Sequence, residues 1–340
     1  MTELNLREQV DLHHLNTFHV AAQARYFVEI TEAAQLPVLC RWLAAHPMPY
    51  MLIGQASNIL FRQDYPGLII ELNIKGIRQL DSTGNTVRVA AMGGEIWHDF
   101  VLHTLAEGWC GLENLSLIPG TVGAAPVQNI GAYGVELAER VESLSAVIIS
   151  TGEVQHFSRA DCQFGYRTSI FKQALRDQVI ISEVVFSLSR QPDLRLGYPA
   201  LHQAIAAFGS DQRTPKLVSE LVCNIRRSKL PDPALIGNAG SFFWNPQVSK
   251  AQFAALRNTW PDVPGYPDGD TVKIPAAWLI ESAGWKGYRE GDDGVHRDHA
   301  LVLVNHGAAT GAELVALSQR IQASVLSKFG IQLWPEVRIV

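Results

Sequence analysis

The sequence predicts an α+β fold, and three observations predict it. Apolar residues recur at helical spacing in some stretches and alternate in strand fashion in others. These stretches do not follow the regular βαβ order that builds a doubly wound sheet. Neither GxGxxG opening a helix after a strand nor GxxxxGK[ST] occurs anywhere in the chain, so a nucleotide would have to be held without a Rossmann or P-loop unit. At roughly 150 residues per domain, a chain of 340 residues makes two or three domains.

The elements follow in order. Segment 31–46 places Leu36, Leu39, Cys40, Leu43 and Ala44 at helical spacing behind Thr31 as a cap, with Pro37 in its first turns. Short strand-like runs come next at 50–53, 68–72 and 86–92, the last with Val87 and Val89 alternating against Arg88. After Gly93-Gly94, a helix over 95–107 carries Ile96, Phe100, Val101, Thr104 and Leu105 on one face and stops at Gly108. Segment 116–134 is a long loop with glycines at 120, 123, 131 and 134 and prolines at 119 and 126. Strands are expected at 144–150 and 179–188. Segment 190–241 reads as polar turns and scattered prolines with one short helical run at 201–208. A helix over 312–329 has Thr310 and Glu313 as a capping box, Leu314, Leu317, Ile321 and Val325 on one face, and Gly330 as its end. The terminal PEVRIV reads as a strand.

Composition narrows the class. The chain is 47% hydrophobic, which closes more than one core and argues against disorder. Its 28 Lys and Arg against 33 Asp and Glu leave a net charge of −5, without the basic surplus of a phosphate-tracking nucleic-acid binder. No run approaches the ~20 apolar residues of a membrane span, and the first residues lack a signal-peptide pattern. Cys40, Cys110, Cys162 and Cys223 lie far apart with no CxxC pair, which fits reduced thiols in a cytoplasmic protein better than a disulfide framework.

Four stretches carry candidate chemistry. Gly54-Gln55-Ala56-Ser57-Asn58 follows an apolar run, and its small residues would let backbone N–H groups approach a phosphate; taken alone, the stretch reads more readily as an ordinary strand-to-strand turn. In 116–134 the glycines, with Ala124, Ala125 and Ala132, make room for something bulky. Gln128 and Asn129 there could hydrogen-bond a flat heteroaromatic ring or a diphosphate, and a loop this long without structure of its own points to function. Gly165-Tyr166-Arg167-Thr168-Ser169 puts an arginine beside a tyrosine, a common surface pattern. Arg226-Arg227-Ser228-Lys229 suits a diphosphate, and the glycine-rich turn 237–241 presents Ser241 ahead of Phe242 and Phe243; solvated charge followed by a turn is the alternative. Asp292, Asp293, His296 and His299 form a fifth, loosely spaced group that a divalent metal could use.

Taken together, GQASNIL at 54–60, SLIPGTVGAAPVQNIGAYG at 116–134, GYRTS at 165–169, KLPDP and GNAGSFFWNP within 229–246, and PEVRIV at 335–340 resemble the UDP-N-acetylenolpyruvoylglucosamine reductase (MurB) family. These are flavoenzymes of bacterial peptidoglycan synthesis. The motifs run in register from residue 54 to the C-terminus. Tyr198 in LGYPAL resembles the tyrosine loop of the family's longer branch. Trp244 departs from the pattern, standing where related sequences often carry lysine.

The resemblance implies an FAD-binding domain of the PCMH/vanillyl-alcohol-oxidase type over 17–190, with lobes of about 1–75 and 76–219, and an α+β substrate-binding domain over 220–329. The strand 330–340 is expected to return to the first lobe. FAD would be non-covalent, held by Gly54, Gln55, Ala56, Ser57, Asn58, Pro119, Gly120, Gly123, Ala124, Gln128, Asn129, Gly131 and Ala132. NADPH and UDP-N-acetylglucosamine enolpyruvate would take turns in one site of a monomeric, cytoplasmic enzyme. In the implied reaction hydride passes from NADPH to flavin, then from flavin N5 to the methylene carbon of the enol ether. Arg167 matches the family's active-site arginine and would hold the substrate carboxylate. Ser241 matches the serine that delivers the proton, and Glu336 the glutamate that stabilises the enolate with Arg167. Tyr198, Arg226, Lys229 and Asn245 would bind the UDP portion, with Tyr133 and Tyr166 lining the pocket. No resident metal is implied. Three other readings compete: an oxygen-using oxidase on the same FAD fold, for which His98 and His103 fit no attachment motif; a metal-dependent hydrolase on Asp292, Asp293, His296 and His299; and a silent nucleotide-sugar binder, which the presence of Arg167, Ser241 and Glu336 disfavours.

Overall fold

The computed structural model describes residues 3–340. The expected mixture of helices and strands is present, and the chain divides into two compact units. One comprises the segment ending at Val10, Ala24–Gln55 and Pro66–Ser228. The other comprises Asp11–Gln23, Ala56–Tyr65 and Lys229–Val340.

The first unit holds two sheets. A four-stranded sheet runs in the order Arg7–Asp11, Gln23–Ile30, Tyr65–Leu72 and Tyr50–Ile53. Its last two strands are parallel, with Tyr50 opposite Leu68 and Ile53 opposite Glu71. The helix Gln35–Ala45 buries Leu36, Leu39, Cys40 and Leu43 in a core shared with Val28, Ile30, Leu68 and Ile70. It begins four residues after Thr31 and has no side-chain cap. The Gln35 carboxamide instead reaches back to accept the N–H groups of Thr31 and Glu32, which holds 31–34 as a turn.

A five-stranded sheet, antiparallel throughout, runs in the order Val154–Ser158, Val141–Ile148, Val179–Ser189, Thr86–Met92 and Ile77–Thr83. The helix Trp97–Ala106 lays Trp97, Phe100 and Val101 on Val87, Val89 and Phe186, with the Phe100 and Phe186 rings 4.9 Å apart. Segment 190–228 is more helical than expected, because Pro199–Ile205 is followed by a fifteen-residue helix Pro215–Lys229. Thr214 Oγ1 accepts the Leu217 N–H at its start, and proline occupies the first helical position, where no amide hydrogen is needed. Val218 and Val222 bury against Leu201 and Ile205.

In the second unit, Gln247–Ser249, Thr271–Lys273 and Tyr266–Asp268 form one antiparallel sheet, and Arg289–Glu290, Asp293–Val295 and Leu303–Asn305 another. The helix Gly311–Phe329 has the expected Thr310/Glu313 capping box, buries Leu314, Leu317, Ile321 and Val325, and ends at Gly330 in the left-handed conformation. Of the terminal PEVRIV, Arg338–Ile339 is strand and pairs in parallel with Ile59–Leu60. Among the described residues no helix is long and apolar enough to cross a membrane.

Candidate active site

In the first unit, two small-residue loops lie edge to edge. The Gly120 N–H donates to Gln55 Oε1 at 2.8 Å. A Cβ on Gly54 would lie 2.8 Å from Thr121 Oγ1, so only glycine permits this approach. The 116–134 loop is not structureless. Val122 and Gly123 donate to the Glu95 and Gly93 carbonyls at 2.8 Å, a run of turns carries the chain through Ile130, and a short hairpin pairs Gly131–Ala132 with Val135–Glu136. Open space adjoins Gly120, whose φ of +117° suits glycine, and Ala124 is exposed. Small residues, backbone amides and an open surface fit the flat, anionic FAD better than they fit a packing contact.

Asn129 lies elsewhere than its sequence position suggests. It is buried, donates through Nδ2 to Glu136 Oε2 at 2.9 Å and the Gly165 carbonyl at 3.0 Å, and accepts the Ala138 N–H through Oδ1. Its carboxamide braces the loop. Gln128, Gly131 and Ala132 remain half-buried at the loop surface.

Arg167 sits at the tip of a tight hairpin in which Gly165 and Thr168 exchange backbone hydrogen bonds. Its φ of +54° is strained for a residue with a side chain, and Ala56, Leu117, Asn129 and Tyr133 share that condition. The hairpin is anchored to the loop by Asn129 Nδ2 on Gly165 and by Ser169 Oγ donating to the Val127 carbonyl at 2.7 Å. Arg226, on the helix Pro215–Lys229, donates through Nε to the Leu117 carbonyl at 3.1 Å. Burial lowers its pKa; Tyr133 and Cys223 oppose that shift, and the Arg167 cation adds to it. Among the described residues neither Arg167 nor Arg226 has an ion-pair partner. A buried guanidinium held in this way calls for an anion.

Tyr133 packs its ring edge-on to Tyr198 at 5.1 Å. Burial pushes its hydroxyl up, against the pull of Arg226. Tyr198 and Tyr166 are exposed, and Asn114 ties the Tyr133 and Arg195 carbonyls together, fixing the root of the tyrosine loop. Sequence reading missed Asn114, Thr121 and the framing role of His98, for which no local pattern gives a signal.

In the second unit, the 334–340 segment runs between two others. Trp244 donates to the Trp334 carbonyl and Glu336 to the Phe242 carbonyl, while Arg338 and Val340 donate to the Asn58 and Leu60 carbonyls. Asn58 Nδ2 reaches the Glu336 carbonyl at 3.3 Å. Ser241 thus stands next to Phe242, the residue bonded to Glu336. The turn before it is set by buried Asn238, which accepts from Gly240 and donates to the Pro231 and Ile236 carbonyls. Asn245 Oδ1 accepts the Ala276 N–H at 2.9 Å, leaving its NH2 group for other partners. Lys229 is exposed at the end of its helix. Ser57, Ser241 and Glu336 are half-buried. The Asp292 to His299 group does not converge: Asp292 accepts from Arg289 and Ala308, and His296 and His299 stack with ring centres 5.0 Å apart. Among the described residues no three His, Cys, Asp or Glu side chains are placed to hold a metal ion.

Comparison with known proteins agrees with both halves. Residues 24–158 match the family model described as an FAD binding domain, and residues 232–340 that of the UDP-N-acetylenolpyruvoylglucosamine reductase C-terminal domain. The UDP-N-acetylenolpyruvoylglucosamine reductase of Chromobacterium violaceum is 50% identical over 99% of each chain. That of Pseudomonas fluorescens is 48% identical over 97% of each. The crystal structure of the Thermus caldophilus reductase, 21% identical, shares the fold with a TM-score of 0.68 over 100% of this chain and 99% of its own.

Proposed function

The chain belongs to the UDP-N-acetylenolpyruvoylglucosamine reductase family, and on that premise we propose that it reduces the enolpyruvyl ether of UDP-N-acetylglucosamine to UDP-N-acetylmuramate with NADPH. The observation that carries this reading is the junction of two small-residue loops that fit FAD, with Arg226 tied by its Nε to the Leu117 carbonyl of one of them and without an ion-pair partner among the described residues. Every ligand of this reaction is an anion, so an acidic chain needs such a local concentration of positive charge.

FAD, held non-covalently, would supply the hydride chemistry that links NADPH to the enol ether. Residues 54–58 and 119–132 would hold the cofactor, their small side chains and backbone amides suiting its diphosphate and flavin ring. The planar fork of Arg167 holds the substrate carboxylate, so charge that builds on the neighbouring carbon meets a fixed cation. Glu336 shares that task. The Ser241 hydroxyl delivers the proton that completes the saturated carbon. Arg226, Lys229 and Asn245 bind the diphosphate and uridine portion, and Tyr133, Tyr166 and Tyr198 line the pocket. NADPH occupies the same place before the sugar nucleotide does. We assign the cofactor to 17–190 and the substrate domain to 220–329, and place the protein as a cytoplasmic monomer in peptidoglycan precursor synthesis. Pairing of Arg338–Ile339 with Ile59–Leu60 supports a C-terminal strand that returns to the N-terminal part.

The test is NADPH oxidation by the yellow, FAD-loaded protein with and without the enolpyruvyl sugar nucleotide. Substrate-dependent turnover with stoichiometric UDP-N-acetylmuramate is expected. No increase on adding the sugar nucleotide overturns the reading, and oxygen consumption in its place supports the oxidase.

A further inference from the structure

Leu117 holds a left-handed backbone, φ +58°, without glycine's freedom to do so. Such a peptide persists only where its surroundings over-determine it. Here both of its polar groups are taken. Its N–H donates to His98 Nδ1 at 3.0 Å, and its carbonyl accepts from Arg226 Nε at 3.1 Å. The first turn of Trp97–Ala106 holds the same loop at two more points, with Trp97 Nε1 donating to the Leu115 carbonyl at 2.9 Å and Trp97 N–H to the Gly120 carbonyl at 3.0 Å. On the other side, Ser116 Oγ donates to the Glu113 carbonyl and lies 2.7 Å from Ser219 Oγ, which leaves Ser219 as the donor between them.

We propose that His98 is a positioning residue for Arg226: its imidazole accepts the Leu117 N–H and so fixes the peptide whose carbonyl aims the guanidinium at the anionic substrate. The inference rests on the function proposed above and names a residue that function did not use. A backbone amide only donates, so the contact requires a lone pair on Nδ1 and places the histidine proton on Nε2. An imidazolium has no such lone pair. Protonation therefore breaks the link and sets a third positive charge beside Arg226 and Arg227. The groups facing His98 are Asp99 on its own helix and Arg226 and Arg227 on Pro215–Lys229. Burial lowers the His98 pKa first; Asp99 opposes this, and the two arginines add to it. The neutral, accepting form thus prevails at neutral pH, and the link is lost as pH falls below the ordinary histidine range.

Two variants test this in the full-length, FAD-loaded protein: His98→Leu, which removes the acceptor, and His98→Asn, whose carboxamide oxygen replaces it at every pH. The first readout is hydrogen–deuterium exchange of the 115–120 backbone at neutral pH, which needs no substrate. His98→Leu is expected to speed exchange about tenfold, the weight of one hydrogen bond, and His98→Asn to stay near wild type. The second is KM for the enolpyruvyl sugar nucleotide between about pH 5 and 8. His98→Leu should raise KM about tenfold with kcat and FAD content little changed, and the wild-type rise of KM at acid pH should vanish in His98→Asn. In an Arg226→Ala background His98→Leu should add almost nothing to KM. Unchanged exchange in His98→Leu, or an acid rise of KM that survives in His98→Asn, overturns the proposal. A protected Leu117 amide in a protein that never reduces the sugar nucleotide overturns the proposed function instead and leaves the His98 contact standing.

Discussion

Gln55 Oε1 accepts the Gly120 N–H at 2.8 Å, joining the turn after Tyr50–Ile53 to the glycine-rich loop across 65 residues of chain. The bond fixes the spacing of the two loops before any cofactor arrives. Gln55→Ala leaves the fold but frees that spacing, so the apoprotein must order the loops as it binds. The dissociation constant for FAD, read by quenching of flavin fluorescence, is expected to rise about tenfold. An unchanged constant shows that the loops hold their places without Gln55.

Gly54 and Thr121 make the same junction by shape. A methyl at residue 54 meets Thr121 Oγ1 at 2.8 Å and Cγ2 at 3.1 Å, and rotating this β-branched side chain only exchanges one obstacle for the other. Gly54→Ala should lower stability by about 1–3 kcal/mol and cost flavin content. Gly54→Ala/Thr121→Ala should recover most of both, because the second change removes both atoms that clash. Thermal midpoints and the absorbance ratio of flavin to protein measure the cycle. A double variant no better than Gly54→Ala alone rules out the steric account.

Legibility in the sequence followed the range of the interaction. The helix Gly311–Phe329 was readable because its cap, apolar stripe and terminating glycine all lie within the element. The helix Pro215–Lys229 hid behind prolines and the Arg226-Arg227-Ser228-Lys229 run, although Thr214-Pro215 and the pattern Leu217, Val218, Leu221, Val222 mark it. The site loops announced themselves by small residues. Which side chains they turn inward did not follow, because Asn129 is claimed by Gly165, 36 residues away, and Asn245 by Ala276, 31 residues away. His98 was weighed only as a flavin attachment point, since nothing local marks an imidazole that accepts from a backbone amide 19 residues on.

Asn129 makes three side-chain hydrogen bonds in a buried setting, to Glu136, Ala138 and Gly165, and the last joins the glycine-rich loop to the Arg167 hairpin. Asn129→Ala leaves the Gly165 carbonyl and the Ala138 amide short of partners, an expected cost of about 2–4 kcal/mol. Asn129→Asp should be worse at neutral pH, because a carboxylate would face Glu136 and the Gly165 carbonyl in place of two N–H donors. Denaturant midpoints order the three proteins. A loss under about 1 kcal/mol in Asn129→Ala contradicts the bracing role.

The four cysteines are buried and unpaired, and burial raises each thiol pKa, that of Cys162 to about 12. A raised thiol pKa keeps the sulfur protonated, and only the thiolate is the nucleophile; at pH 8 on the order of one Cys162 in ten thousand is ionised. The folded protein should therefore resist iodoacetamide at pH 8, and all four thiols should label once it is denatured. Labelling rises with pH as each group approaches its pKa. Rapid modification of any one cysteine in the folded protein shows that its cover opens.

Ser241 separates the two halves of the proposed reaction. A hydroxyl that only delivers the final proton takes no part in hydride transfer from NADPH. Ser241→Ala should therefore bleach flavin with NADPH under anaerobic conditions within about twofold of the wild-type rate. Reoxidation of that flavin by the enolpyruvyl sugar nucleotide should fall by about 10²–10⁴, the usual worth of a positioned proton donor. Ser241→Cys keeps an exchangeable proton at the same place and should restore part of the loss. Glu336, whose backbone bonds to the Phe242 carbonyl, should give a different pattern: Glu336→Gln keeps the packing and slows reoxidation without touching bleaching. Equal losses in both half-reactions for Ser241→Ala would mean that the residue orders the site for NADPH and sugar nucleotide alike, and the proton would have to come from another group.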